Sequence, residues 1–184
     1  MAAKDRMAVL TAMMEQSIIP VFYDPDVEVC RNVIQACANG GAKCIEFTNR
    51  GDFAASVVLD VARHFAKADP SVIMGVGSVV DAPTAGVYIA NGAKFVVGPV
   101  LNPDVAKVCN RRKIPYSPGC GSASEISCAE ELGWEIVKVV PGGSAAVVAF
   151  GRLGAEEMTA SSDLDLILLY EHPEAAIASD GRRP

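Results

Sequence analysis

The chain has 184 residues, of which 51% are hydrophobic and 21% are charged, and its formal net charge is -6 at neutral pH. This composition excludes a disordered or collagen-like protein, and the length is sufficient for one domain with a hydrophobic core. The longest apolar runs contain about six residues, whereas a membrane-spanning helix requires roughly 20. We therefore expect no membrane association and, because of the acidic balance, no general affinity for nucleic acid.

The cysteines do not suggest a metal site. They lie at positions 30, 37, 44, 109, 120 and 128, and the two histidines are His64 and His172. No cysteine pair has the C-x-x-C spacing, and neither histidine is near a cysteine cluster, so we expect no metal ion and no other cofactor. The N-terminus also lacks the basic and apolar regions of a secretory leader. These features predict a cytoplasmic protein with reduced cysteines.

Short apolar runs alternate with segments of helical period through the first 140 residues. The first helical segments cover about 27–37 and 57–65, and glycines at 40–41, 92 and 133 mark helix ends, where a left-handed cap is favoured. Fully apolar strands between amphipathic helices predict a parallel sheet covered by helices. Six βα units in a row favour a TIM-type (β/α) barrel, with an open doubly wound sheet as the alternative. The predicted strands are 18–22, 42–47, 72–76, 93–97, 114–116 and 135–140.

The pattern changes after residue 140. The next apolar run, 145–150, begins about five residues later, and a parallel crossover needs a dozen or more residues. We therefore expect this run to be antiparallel to its predecessor or to lie away from the position of the next parallel strand. Another strand-like run, 164–170, follows a polar segment.

The ends of the predicted strands carry candidate catalytic residues, because active sites of parallel barrels lie at the carboxyl ends of their strands. Lys138 is the one amine in the predicted strand 135–140 and has two apolar residues on each side; burial disfavours the charged form of an amine, which leaves it nucleophilic toward a carbonyl. Glu46 follows an apolar residue and is a candidate for proton transfer. Alternatively, Lys138 extends its ammonium to solvent and Glu46 pairs with a neighbouring cation.

Six sequence strings resemble the 2-keto-3-deoxy-6-phosphogluconate / 4-hydroxy-2-oxoglutarate aldolase family over about residues 5–143. They are IIPV (18–21), IEFTNR (45–50), GVGSV (75–79), FVVGP (95–99), PYSPGCGSASE (115–125) and IVKVVPGG (136–143). The resemblance implies a class I aldolase on a TIM barrel, usually trimeric, that cleaves a small 2-keto-3-deoxy acid to pyruvate and an aldehyde.

The same resemblance implies roles for individual residues. Lys138 would form the Schiff base and Glu46 would be the acid/base. Thr48 and Ser78 would line the pyruvate end of the pocket, and Arg50 would meet the distal phosphate or carboxylate of the substrate. Pro99 and Gly119 would shape the pocket.

The C-terminal part has a second resemblance. The string AVVAFGRLGAEEMTASSDLDLILLYEH (146–172) is similar to the nucleotidyltransferase core of glutamine-synthetase adenylyltransferases. Asp163 and Asp165 are two residues apart, so a strand places both on one face, which suits divalent cations. The alternative is that they form the solvated side of an added strand, and we expect this fragment to be catalytically inactive.

The two resemblances divide the chain at about residue 143. Residues 1–143 are predicted to form a partial (β/α) barrel of six βα units. Residues 144–184 would supply two unrelated strands in place of the seventh and eighth units and complete the sheet. Two hypotheses for function follow, a Schiff-base aldolase and a non-catalytic chimeric fold, natural or engineered.

Overall fold

A computed structural model describes residues 5–139 and the backbone of one later strand, 146–149. The helices are α1 (Arg6–Gln16), α2 (Val27–Asn39), α3 (Ala54–Ala68), α4 (Ala82–Ala90), α5 (Pro103–Arg112) and α6 (Ala123–Glu131). The strands are β1 (Val21–Phe22), β2 (Cys44–Thr48), β3 (Ile73–Gly77), β4 (Phe95–Val97), β5 (Tyr116–Ser117), β6 (Gly119–Cys120), β7 (Ile136–Val139) and β8 (Ala146–Ala149). None of these helices is long and apolar enough to cross a membrane.

The strands pair in chain order, as the βα repeat predicted. Strands β1 to β5 form one parallel sheet, and β6 pairs in parallel with β7 in a second sheet. Pro118 separates β5 from β6, and its carbonyl accepts a hydrogen bond of 2.8 Å from the Lys138 amide. Each of the six predicted strands therefore contributes to one of the two sheets. The fifth predicted strand corresponds to two short strands, β5 and β6, one in each sheet.

The strand that follows β7 runs in the opposite direction. β8 is antiparallel to β7, with Val147 opposite Lys138 and Ala149 opposite Ile136. This confirms the prediction from the short connection between the two strands. Among the described residues β1 pairs only with β2, so the sheet does not close there. The predicted strand 164–170 lies outside the described residues.

The parallel strands present two different faces, because side chains alternate along a strand. The outer face packs under α2 to α5 and includes Ile45, Phe47, Met74, Val76 and Val96. The inner face packs on α1, and its apolar residues are Cys44, Ile73, Phe95, Val97 and Ile136. Helices α2 to α5 on the outer face correspond to the outer ring of helices of a parallel α/β barrel, and α1 is an additional helix that covers the inner face.

Helix α1 was not predicted from the sequence. Asp5 caps it by accepting a 2.8 Å hydrogen bond from the Ala8 amide, and Val9, Leu10 and Met13 are buried against the inner face of the sheet. Its apolar residues are too scattered to give a clear helical period. The helix therefore covers the interior of the sheet through tertiary contacts rather than through a strong local preference.

Three of the four glycines predicted to mark helix ends have the left-handed conformation: Gly41, Gly92 and Gly133 have φ values of 96°, 109° and 82°. A side chain would be strained there, so glycine allows the chain to turn directly into the next strand. The prediction was wrong for Gly40, which ends α2 with a φ of -78°.

Candidate active site

Glu46 and Lys138 lie on the inner face of the sheet. Glu46 is two residues beyond Cys44 in β2, and Lys138 is two residues beyond Ile136 in β7, so each shares the face of a residue that packs toward α1. Glu46 is only 6% exposed, and Lys138 is partly buried. A carboxyl group and an amine thus enter the same interior from two strands.

Glycines in β3 leave room for the side chains of neighbouring strands. Gly77 is in register beside Thr48, and a Cβ atom on Gly77 would overlap the Oε1 atom of Glu46 and lie 3.2 Å from the Cβ of Val97. Gly75 leaves similar space for the ring of Phe95. The carboxyl group of Glu46 therefore occupies the space that a side chain on β3 would fill.

The environment of Glu46 shifts its proton affinity. Burial raises the pKa of this carboxyl group above its ordinary value of 4.5, and the positive charge of Lys138 partly opposes that shift. The two groups interact electrostatically, but their N and O atoms are not within 4.0 Å of one another. A carboxyl group whose pKa is raised toward neutrality is suited to accept and return a proton.

The remaining predicted site residues lie at or just beyond the carboxyl ends of β2, β3, β4 and β5. Thr48 ends β2 on the same face as Glu46, and Ser78 follows β3 directly; both are partly buried. Gly119 is in register beside Lys138, and a Cβ there would overlap the carbonyl of Pro99. This close approach of two backbones explains why position 119 requires glycine.

Arg50 lies farther out than the other candidates. It is exposed in the loop after β2, and its amide donates a 2.9 Å hydrogen bond to the carbonyl of Thr48. The preceding Asn49 accepts a 2.6 Å hydrogen bond from the Tyr88 hydroxyl and donates its amide to the carbonyl of Gly77. These bonds hold the start of the loop, and sequence reasoning assigned no role to Asn49 or Tyr88.

Ser117 is a second feature that the sequence did not identify. It is 4% exposed, and its hydroxyl has no hydrogen-bond partner among the described residues. It lies near Leu10, Met13 and Ile136 in a cleft too narrow to hold a water molecule. A polar group in an apolar interior is not evident from the string YSPG, because the face of each residue depends on the sheet.

The described residues offer no alternative chemistry based on metal or thiolate. Residues 5–139 contain no group of three or more histidine, cysteine, aspartate or glutamate side chains that is placed to hold a metal ion. The six cysteines are all free, and burial raises the thiol pKa of Cys30 to about 11 and of Cys109 to about 12. Such thiols are poor nucleophiles near neutral pH. Asp163 and Asp165 lie outside the described residues.

Comparison with known proteins identifies the family. Residues 9–155 match the family model described as KDPG and KHG aldolase. The chain belongs to this aldolase family. It is 34% identical over 148 residues to the 2-dehydro-3-deoxy-phosphogluconate aldolase of Treponema pallidum (strain Nichols), covering 78% of this chain and 69% of that protein. It covers 61% of the corresponding protein of Haemophilus influenzae (strain Rd), so it spans about two thirds of the length of these aldolases.

Solved aldolase structures share the fold. The 4-hydroxy-2-oxoglutarate aldolase/2-deydro-3-deoxyphosphogluconate aldolase from TTHB1 superimposes with a TM-score of 0.65 at 23% identity, covering 73% of this chain and 64% of that one. The KDPG aldolase from Legionella pneumophila, with pyruvate captured as a covalent carbinolamine, superimposes with a TM-score of 0.62 at 24% identity. The match covers 72% of this chain and 61% of that one. The aldolase chain described here therefore has a TIM-type α/β barrel fold.

The C-terminal part matches a different family. Residues 130–183 match the model described as glutamate-ammonia ligase adenylyltransferase. A bifunctional glutamine synthetase adenylyltransferase/adenylyl-removing enzyme of Xanthomonas axonopodis pv. citri (strain 306) is 58% identical over 45 residues, which are 24% of this chain and 5% of that enzyme. The two family matches overlap in residues 130–155, the segment that contains β7 and Lys138.

Proposed function

We propose that the chain is a class I aldolase that cleaves a 2-keto-3-deoxy acid to pyruvate and an aldehyde. The observation that carries this proposal is the buried Glu46 carboxyl beside Lys138 on the inner face, where burial raises the pKa of the carboxyl group. Schiff-base aldol cleavage needs an amine, which forms the covalent intermediate, and a carboxyl group, which transfers protons. Family membership supports the same chemistry.

In this proposal Lys138 forms the covalent intermediate. Its neutral amine attacks the C2 carbonyl of the substrate, and loss of water gives an iminium ion. Glu46 accepts the proton of the C4 hydroxyl while the C3–C4 bond breaks, which releases the aldehyde and leaves an enamine on Lys138. Protonation at C3 and hydrolysis of the imine then release pyruvate and restore the amine.

The other candidate residues would bind the substrate. The hydroxyls of Thr48 and Ser78 would line the pyruvate end of the pocket and bind the keto-acid carboxylate, and Arg50 would meet the distal phosphate or carboxylate. Pro99 and Gly119 would limit the width of the pocket next to Lys138. This assignment restricts the substrates to short keto acids, either the 6-phosphogluconate derivative or 4-hydroxy-2-oxoglutarate.

Trapping with borohydride tests this proposal. Incubation of the purified chain with pyruvate and borohydride should add one reduced pyruvate to Lys138, located by peptide mass spectrometry. Lys138→Ala and Lys138→Arg should both lose the adduct and aldol cleavage, because a guanidinium is not nucleophilic at neutral pH. Lys107→Ala, which removes an exposed lysine from α5, is the matched control and should retain both. Normal turnover in either Lys138 variant would contradict the Schiff-base assignment.

The second candidate is a non-catalytic chimeric fold. It is favoured by the match of residues 130–183 to the adenylyltransferase family, because that match replaces the C-terminal part of the aldolase sequence. In this alternative, residues 1–143 are an aldolase-like partial barrel and residues 144–184 are an inactive fragment. A cooperatively folded chain that forms no adduct with pyruvate would support this alternative.

We also propose a homo-oligomeric, cytoplasmic protein, with a trimer as the assembly that the family resemblance implies. The six free cysteines support a reducing compartment. Analytical ultracentrifugation of the purified chain would measure the assembly, and a monomer at all concentrations would contradict the trimer.

A further inference from the structure

Helices α2 and α3 border an open basic groove on the outer face of the sheet, whereas Lys138 lies on the inner face. Helix α2 packs beside α3, and the α2–α3 groove has a volume of about 450 Å³. The residues that line it are Arg31, Asp60, Arg63, His64, Lys67 and Ala68. Both helices cover the outer face of the sheet, whereas Glu46 and Lys138 lie on the inner face. The groove is therefore separate from the candidate active site.

Two of the three cations of the groove have no ion-pair partner. Within residues 5–139, the side chains of Arg63 and Lys67 form no hydrogen bond or ion pair, and both residues are exposed. Arg31 contacts the carboxylate of Glu28, yet its Nε atom is buried and has no acceptor there. The groove gathers three cations near two carboxylates, Asp60 and the Glu28 that pairs with Arg31, so its local charge stays positive although the whole chain carries a net charge of -6.

The donors of this groove suit an oxyanion. Two guanidinium groups present planar sets of N–H donors, which match the oxygens of phosphate better than a single point charge does. The buried Arg31 N–H has lost its water without gaining an acceptor, and an anion in the groove would supply one. Residues 60, 63, 64 and 67 follow each other at helical spacing, so α3 turns one face toward the same ligand.

We propose that the α2–α3 groove binds a phosphate monoester. A doubly charged phosphate would neutralise the excess of cations, and the groove has room for the phosphate and a small organic group attached to it. By bridging α2 and α3, the ligand would also stabilise the folded chain. This site does not depend on aldolase activity.

Proton NMR of the full chain tests this proposal with inorganic phosphate as the probe. The chain has two histidines, so the ring signals of His64 are assigned by their loss in His64→Gln. Phosphate added at constant ionic strength should shift the His64 signals in a saturable manner. In the double variant Arg63→Ser/Lys67→Ser the affinity should fall by about tenfold or more, because hydrogen bonds to charged groups are lost.

Two control variants separate this site from other effects. Arg111→Ser/Arg112→Ser removes the same charge from the last turn of α5 and should leave the titration unchanged. Arg50→Ser should also leave it unchanged, which distinguishes the groove from phosphate binding at the candidate active site. A linear response without saturation, or equal weakening in the α5 control, would overturn the proposal. Binding of a single-stranded oligonucleotide through Arg63 and Lys67 without a response to phosphate would also overturn it.

Discussion

Glu46 combines a proposed catalytic role with a cost to stability. Between its ordinary pKa of 4.5 and its raised pKa in the folded chain, the native state binds more protons than the unfolded state. The free energy of unfolding therefore falls as the pH rises through this interval. Wherever the pH charges this carboxyl group, it is held in an interior that favours the neutral acid, and Lys138 offsets only part of the penalty.

Glu46→Gln should separate these two effects. Glutamine keeps the shape but transfers no proton, so we expect aldol cleavage to slow by about 100-fold or more. Because glutamine is uncharged, the variant should melt at a higher temperature than the wild type at about pH 8, with the difference shrinking toward about pH 4. Steady-state rates and thermal melts across this range measure both. An unchanged rate would assign Glu46 a structural role.

Ser117 and Ser122 give a matched pair of serine substitutions with opposite expected signs. The Ser117 hydroxyl is buried without a partner, so Ser117→Ala should raise the free energy of unfolding by about 1 kcal/mol. The Ser122 hydroxyl caps α6 by accepting a hydrogen bond of 3.3 Å from the Glu125 amide, so Ser122→Ala should lower it by about 1 kcal/mol. Urea denaturation measures both. Destabilisation by Ser117→Ala would show that the hydroxyl has a partner in solution.

At the scale of elements, Arg6 connects α1 to the start of β7. Its guanidinium forms an ion pair of 2.7 Å with Glu135, donates 2.9 Å to the Asn110 side chain and lies 4.5 Å from the centre of the Trp134 ring. Because several charge-assisted bonds and a cation–π contact are lost together, Arg6→Ala should lower the free energy of unfolding by about 1–3 kcal/mol. Lys107→Ala, which breaks an exposed ion pair with Asp104, should have little effect.

The sequence predicts elements whose signals are local. The six strands follow from their apolar runs, and the reversal of β8 follows from the length of its connection to β7. Glu46 and Lys138 were identified because each lies toward the end of a predicted strand next to apolar residues. Helix α1 was missed because its contacts are with distant strands rather than within its own pattern. The Ser117 hydroxyl was missed for the same reason, because the side chains that bury it without a hydrogen-bond partner are far away in the sequence.

At the scale of the whole molecule, β8 is the first element that departs from the parallel repeat. Its backbone pairs with all four residues of β7, including Lys138, so it supports the strand that carries the proposed nucleophile. The sequence for β8 lies in the region where both family matches overlap. The strand that carries the proposed nucleophile is therefore paired with β8, an antiparallel strand that the parallel βα repeat does not contain.

Removal of residues 144–184 tests this dependence. A chain that ends at Gly143 leaves the edge of β7 without β8, and exposed strand edges promote aggregation. We expect the shortened chain to be insoluble, or to lack a cooperative melt and the pyruvate adduct. Asp163→Asn/Asp165→Asn in the full chain should leave folding and lyase activity unchanged. A soluble shortened chain that melts cooperatively would show that residues 144–184 are an appendage.

The position of Trp134 makes its fluorescence a probe of the native packing. It is the single tryptophan in the sequence, it is 3% exposed, and its ring packs edge-on against Tyr116 at 5.4 Å. Its emission should therefore report on the junction of α1, β5 and β7, with a short-wavelength maximum while Arg6 remains docked on the ring. If fluorescence and far-ultraviolet circular dichroism give the same melting curve, α1 unfolds together with the sheet. An earlier fluorescence transition would mean that α1 detaches from the inner face before the strands separate.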